Sequence, residues 1–314
     1  MNYYFAPLEG ITDNIYRRLH HRFFPGIDQY YTPFLSPSVH HCLTPKEAKE
    51  IPPVESLGFR VVPQLLTKVS EDFLWMAEKC RELGYDEVNL NIGCPSGTVT
   101  AKGKGAGMLT NLESLDRFFD EVFAHTTIDV SVKTRLGFAS AEEFPAIMEI
   151  FNRYPIKQLT VHPRVRNAFY KGNVDLSAFT YAMQNSNAPV CFNGNLNSRE
   201  EIETISQQFP ELKAVMLGRG LVADPGMLTP GGTDVKSLEA FYDALLEEYL
   251  SAFGGARNAM FRLKEHWRYL LCKFENNEKL AKQLRKATDL STYKAITRDI
   301  FSNLPMRHNL MPDW

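Results

Sequence analysis

Eight short apolar runs, each closed by a polar or glycine-containing turn, recur along the first 220 residues, at 3–6, 29–31, 61–65, 87–91, 129–133, 158–162, 189–193 and 214–217. Most are separated by stretches long enough to carry a helix back across a sheet. Strand–helix alternation carried to eight strands specifies a closed (β/α)8 TIM barrel of the α/β class. Such a barrel takes ~250 residues, so a chain of 314 has room for one barrel and a small appendage. The break falls at 225–232 (PGMLTPGG), where two prolines and three glycines interrupt any regular element. Beyond it Leu238, Phe241, Tyr242, Leu245, Leu246, Tyr249, Leu250 and Phe253 keep a helical rhythm, and Gly254–Gly255 stops that helix. Met260, Leu263, Trp267, Leu270, Leu271 and Phe274 form a second stripe, and shorter helices are expected over 277–287 and 291–303. The expected domains are therefore a catalytic barrel over 1–232 and a helical bundle over 233–314. In that reading Trp267 packs in the bundle core.

The unusual residues of the barrel fall at one end of its strands. Gln64, Asn91, Lys133, His162, Asn193 and Gly218–Arg219 lie at or just past the C-terminal ends of the apolar runs. That is the face on which barrel enzymes build their active sites. Asn193-Gly194-Asn195 follows the seventh run and Gly218-Arg219-Gly220 the eighth, the two loops with which barrels commonly bind phosphate. Lys133 ends an otherwise apolar strand, a costly place for an ammonium unless it meets an anion or an electron-rich ring. Gln64 offers a donor and an acceptor at the same rim. A flavin uses both kinds of group, amide partners for its ring edge and a cation near its reduced form. Cys94, on the loop after the fourth run and flanked by Gly93 and Pro95, is the candidate reactive group. Thiols in water titrate near ~8.5 and are mainly protonated at neutral pH, which suits a general acid. A nucleophile would want a base such as His162, and both roles are open to it. The loop over 93–107, with five glycines, Lys102 and Lys104, is longer than a connection needs. Its Gly103–Gly107 and Gly97…Lys104 spacings match neither a dinucleotide fingerprint nor a P-loop.

Bulk properties narrow the setting. Charged residues at 23% and hydrophobic residues at 44% are ordinary for a globular protein. No apolar run approaches the ~18 residues of a membrane span, and no leader precedes the first strand, so a cytoplasmic protein is expected. The five cysteines (42, 80, 94, 191 and 272) form no CxxC pair, which fits reduced thiols and no metal site. Overall charge is −2, yet 257–286 holds nine Lys or Arg against three acids. Such a run is either a solvated helical face or the footprint of a phosphate backbone.

The stretches APLEGITDNIYR (6–17), VPQL (62–65), NLNIGCPS (89–96), GKGAGML (103–109), VKTRLG (132–137), HPRVRNAFYKG (162–172), NGN (193–195) and GRGL (218–221) occur in one order. Together they resemble the tRNA-dihydrouridine synthases over nearly the whole chain. The resemblance implies FMN as cofactor and NADPH as its reductant. Pro7, Leu8 and Glu9 would line the flavin, and Gln64 and Lys133 would contact its ring system. His162, Asn193, Gly194, Asn195, Gly218 and Arg219 would hold ring, ribityl chain and phosphate. Hydride would pass to carbon 6 of a tRNA uracil while Cys94 protonates carbon 5. Asn91, Lys102, Lys104, Arg135, Arg164 and Arg166 would take up the substrate, and the basic stretch 257–286 would grip tRNA. No obligate protein partner is implied. Three positions depart from the family pattern: Pro163 where Gly is common, Val165 where Thr is, and Asn195 where Asp is frequent. Two other readings stand beside this one. A dihydroorotate-dehydrogenase-like barrel would share the FMN site but need no basic helical tail, and an RNA-binding module using the barrel as scaffold would not need Cys94, Lys133 and Gln64.

Overall fold

The computed structural model describes residues 1–37 and 40–312. Its strands are β1 (Asn2–Phe5), β2 (Gln29–Tyr31), β3 (Val61–Val62), β4 (Gln64–Leu65), β5 (Glu87–Ile92), β6 (Asp129–Arg135), β7 (Leu159–His162), β8 (Val190–Asn193) and β9 (Ala214–Leu217). All pair in parallel, in the order β3-β2-β1-β9-β8-β7-β6-β5-β4. Nine segments appear where eight are expected because Pro63, which has no N–H to give a ladder, divides the third run. Its two halves pair outward with β2 and with β5. One residue thus joins the two ends of the sheet, and the eight strand positions form a nearly closed TIM-type barrel.

Chain contacts divide into two compact units. The first takes Met1–Pro7, Asp28–Gly194 and Gln208–Met216, and so nearly the whole sheet. Its crossover helices Ser70–Glu82, Leu112–His125, Phe144–Phe151 and Leu176–Asn185 cover the strands. Strand β5 is buried along its whole length, as a parallel strand covered on both faces must be. Pairing register sorts the polar residues into layers, because alternate residues of each strand share a face. Gln64, Asn89 and Ser131 are register mates; two residues further on come Asn91, Lys133, Thr160 and Cys191; two further still, Arg135 and His162. At the opposite strand ends, buried Glu87 takes Arg60 at 3.0 Å and Lys157 at 3.4 Å, a structural ion cluster.

The second unit gathers Leu8–Ile27, Asn195–Gln207 and the chain from Leu217 onward. Its helices are Asn14–Phe23, Arg199–Gln208, Arg219–Ala223, Val235–Phe253, Ala256–Leu270, Glu278–Lys286 and Leu290–Asn303. Asp13 caps the first, accepting from the Tyr16 N–H at 3.0 Å, and Gly254, at φ +64°, ends the longest. Trp267 is buried, and its indole N–H donates to the Tyr293 hydroxyl at 2.8 Å, so it packs in the core. Among the described residues no helix is long and apolar enough to cross a membrane.

Candidate active site

Three amide side chains run in series along the inner face of the barrel. The Gly93 and Cys94 N–H groups both donate to Asn91 Oδ1, at 3.0 and 2.9 Å. That fixes which end of Asn91 is oxygen, so its Nδ2 donates to Gln64 Oε1 at 2.8 Å. Gln64 Nε2 then donates to Asn89 Oδ1 at 2.8 Å, and Asn89 Nδ2 to Ser131 Oγ at 2.9 Å. Every amide in the series is oriented by the two backbone N–H groups at its head. Gln64 keeps one N–H and one acceptor site beyond these bonds, and its own N–H is held by Thr32 Oγ1 at 2.9 Å.

Cys94 is half-buried on the loop that this series anchors. The loop is not open coil: it folds into a helical turn at Gly97–Thr100 and a 3-10 segment at Gly105–Thr110. Ala106 N–H closes it by donating to Cys94 O at 3.1 Å. Gly105 sits at φ +58°, and a Cβ there would lie 3.0 Å from both Cβ and O of Cys94. Glycine is required at that turn by backbone angle and by space. On the same loop Lys102 is exposed and Lys104 half-buried.

The Lys133 ammonium has no carboxylate partner and no hydrogen bond among the described residues. Desolvation, then the Arg135 guanidinium, lower its pKa to about 8, while the Cys191 and Cys94 thiols pull the other way. A half-buried cation with this surrounding fits an anionic or electron-rich ligand at the barrel mouth. Cys191, its register neighbour beyond Thr160, is pushed to about 12 by burial and stays a thiol.

Next to this layer a cluster of arginines is largely spent on the backbone. Arg135, 1% exposed, donates from Nε to Gly93 O at 2.9 Å and from Nη1 to Val165 O at 3.1 Å and Phe169 O at 2.7 Å. Arg164 donates to Lys171 O at 3.3 Å and, through Nη1, to His162 Nε2 at 3.0 Å. A guanidinium can only donate, so His162 accepts at Nε2 and is neutral with its proton on Nδ1. Arg166 donates to Thr100 Oγ1 at 3.0 Å and lies 5.1 Å from each of the Phe138 and Phe169 rings. These bonds tie the loop after β7 to the loop that carries Cys94.

Asn193 is buried at the end of β8, and its Nδ2 donates to Met216 O at 2.7 Å. Pro7 follows β1, with Gly194 beyond Asn193, both half-buried. In the second unit, Leu8 N–H donates to Thr12 Oγ1 at 2.9 Å and Leu8 O accepts from Ile11 and Thr12 at 3.0 Å each, a tight turn that leaves Glu9 exposed. Asn195 takes a left-handed φ of +47°. Gly218 caps the short helix Arg219–Ala223. A Cβ at Gly220 would stand 2.3 Å from Leu196 O and 2.8 Å from Asn197 Cα. Gly220→Ala therefore has to displace backbone, and it should lower stability by roughly 1–3 kcal/mol, read as a drop in the urea midpoint at unchanged slope.

Sequence reasoning misses Asn89, Ser131 and Thr32, whose role depends on cross-strand register, and the exposed aromatics Phe169 and Tyr170. Asn89 carries one readable signal, since it stands two residues before Asn91 and so on the same face.

The dihydrouridine synthase family model matches residues 4–303. A probable tRNA-dihydrouridine synthase 1 of a Synechocystis species is 29% identical over 223 residues, covering 70% of this chain and 61% of its own. The tRNA-dihydrouridine synthase B of Pasteurella multocida is 24% identical over 223 residues, covering 71% and 66%. The chain thus spans less than two thirds of the length of either relative. A tRNA-dihydrouridine(16) synthase of Shigella flexneri is 31% identical over 245 residues, covering 71% and 72%. Among solved structures, a variant of NCR from Zymomonas mobilis aligns with a TM-score of 0.50 at 13% identity, covering 77% of this chain and 86% of that one. A morphinone reductase variant in complex with tetrahydroNAD aligns at 0.51 and 11% identity, covering 72% and 85%; both likenesses concern the fold. With a family model spanning residues 4–303, this chain belongs to the dihydrouridine synthase family.

Proposed function

We propose that the protein reduces uridines in tRNA to 5,6-dihydrouridine, with FMN as cofactor and NADPH as reductant. One observation carries the reading beyond family membership: the Lys133 ammonium, without an acidic partner among the described residues, shares a register layer with Asn91, whose amide oxygen holds the backbone N–H of Cys94. When bound and reduced by NADPH, FMN supplies a hydride to carbon 6 of the uracil ring. Gln64 offers the ring edge its remaining N–H, and Lys133 supplies the cation. Pro7, Leu8 and Glu9 line the cofactor, while His162, Asn193, Gly194, Asn195, Gly218 and Arg219 hold the rest of it.

Cys94 gives the proton to carbon 5. Asn91 fixes the approach of that thiol through the two N–H groups it holds. Arg135 acts through the backbone of both loops, and Arg164 through His162. Lys102, Lys104 and Arg166 offer positive charge at the rim.

The target base has to leave its stack, at a cost of a few kcal/mol, and a docking surface offsets that cost. In this reading the barrel over 1–232 carries the chemistry and 233–314 grips tRNA in the cytosol. Of the nine cations over 257–286, Arg262, Lys264 and Lys273 are bound internally, to Gly10 O, Ala287 O and Asp224. Arg257, Arg268, Lys279, Lys282, Arg285 and Lys286 are exposed. Phe261, 56% exposed, stands among them with the Arg257 guanidinium 5.6 Å from its ring, a basic–aromatic surface of the kind that binds RNA.

The test is anaerobic. The flavin-loaded protein is reduced with NADPH and mixed with unmodified tRNA in one sample and with free uridine or orotate in another. Reoxidation by tRNA, with dihydrouridine formed, is the expected result. Reoxidation by the small pyrimidine alone would move the activity to the dehydrogenase class.

A further inference from the structure

The loop after β7 carries two features that the reaction above leaves unused. Phe169 and Tyr170 are adjacent in sequence and 41% and 49% exposed, among the few large apolar side chains so placed in the described chain. Phe169 also has φ +52° and ψ −103°, a conformation costly for a residue with a Cβ. Three groups hold it there. Arg135 Nη1 donates to its carbonyl at 2.7 Å, its own N–H donates to Arg166 O at 3.0 Å, and the Arg166 guanidinium lies 5.1 Å from its ring. The same Arg135 donates to Gly93 O, so one guanidinium separates the Phe169 backbone from the residue preceding Cys94.

The Phe169 carbonyl anchors Arg135, but its 41% exposed ring is not needed for that bond. Its surroundings say what the ring meets. Residues 163–172 contain Arg164, Arg166 and Lys171 and no acid. Arg166 reaches across to Thr100 on the loop bearing Lys102 and Lys104. Positive charge interleaved with exposed aromatic faces is the chemistry that binds unstacked nucleotides, with rings taking bases and cations taking phosphates. We propose that Phe169, backed by Arg166, is a stacking shelf for a base of the RNA substrate next to the reacting uridine. The shelf rests on the RNA-substrate reading above and adds a positioning residue to it. It also accounts for the bulky side chain at a left-handed position, where glycine would cost nothing.

The holoenzyme tests it with a tRNA transcript carrying 2-aminopurine beside the target uridine, since stacking on a ring quenches that fluorophore. Base–aromatic stacking is worth a factor of roughly 5 to 150 in affinity. Phe169→Leu keeps apolar bulk but removes the π face. It should raise the KM for tRNA by about tenfold and abolish the quench, whereas Phe169→Trp should restore both. A leucine variant with wild-type KM and quench would overturn the shelf, as would a tryptophan variant no better than leucine. Dihydrouridine formation is read separately. A wild-type protein that binds the transcript in a Phe169-dependent way but forms no product would keep the shelf and overturn the reaction.

Discussion

Cys94→Ala is expected to bind FMN and tRNA as the wild-type protein does and to lose dihydrouridine formation by roughly 10²–10⁴-fold, the usual worth of a positioned general acid. Binding should survive because the loop is held by backbone and not by the thiol. Its anchors are the Gly93 and Cys94 N–H groups on Asn91 Oδ1, the Arg135 bond to Gly93 O, and the Ala106 N–H on Cys94 O. An alanine changes none of these. The rate should fall because alanine has no proton to give to carbon 5, and in this reading the Cys94 Sγ–H is the acid. The loss should appear in single-turnover reoxidation by tRNA and leave the reduction of bound flavin by NADPH intact. Cys94→Ser probes the same point from another side. An alcohol holds its proton far more tightly than a thiol, so serine should be nearly as slow as alanine despite its hydroxyl. Wild-type rates in either variant would remove Cys94 from the proton transfer.

Much of this site is legible in the sequence where a polar residue interrupts an apolar strand. Gln64, Asn91 and Lys133 stand out because water-loving side chains in covered strands need a reason. Pro63 is visible too, and its missing N–H explains why the third strand comes in two pieces. What stays hidden depends on register and on distant backbone. Asn89 reads as one more polar residue until pairing sets it between Gln64 and Ser131. Arg135 resembles a free cation in sequence, yet three of its contacts are to carbonyls, and one of those carbonyls faces it only because Phe169 turns left-handed. A count of charge over 257–286 likewise cannot tell Lys273, buried against Asp224 at 2.6 Å and 49 residues away in sequence, from the exposed cations around it. Local pattern gives the elements; the partners of long side chains come from chain that is far off in sequence.

Acid should weaken the helical unit well before its carboxylates titrate. His20 and His266 are fully buried there, and Tyr16 stacks between them with ring centroids 6.0 and 5.0 Å away. Tyr249 lies on the other side of His266 at 5.9 Å. Each imidazole is placed by Nε2 against a carbonyl, Pro225 O at 3.0 Å and Ile11 O at 2.9 Å. A carbonyl only accepts, so both donate through Nε2. The second nitrogen of His266, Nδ1, is buried without a partner, and a proton added there would have no acceptor. Burial accordingly lowers His20 from 6.5 to about 3 and His266 to about 4. His21 opposes charge on His20, Arg262 opposes it on His266, and Asp13 and Glu265 favour it there, all more weakly than burial acts. The unfolded chain binds these protons near pH 6.5 and the folded chain only below 4. Stability is therefore complete above about pH 6.5 and falls as pH drops toward 4, by about 1.4 kcal/mol per pH unit for each histidine. Between pH 6.5 and 5 the two together should cost about 3 kcal/mol. Urea titrations across that window should show a slope near two protons, and His20→Phe or His266→Phe should each remove about one proton from it whatever it does to stability at pH 8. A flat profile above pH 5, or a slope that survives both substitutions, would mean that these imidazoles are not held neutral by the packing of Tyr16 and Tyr249 around them.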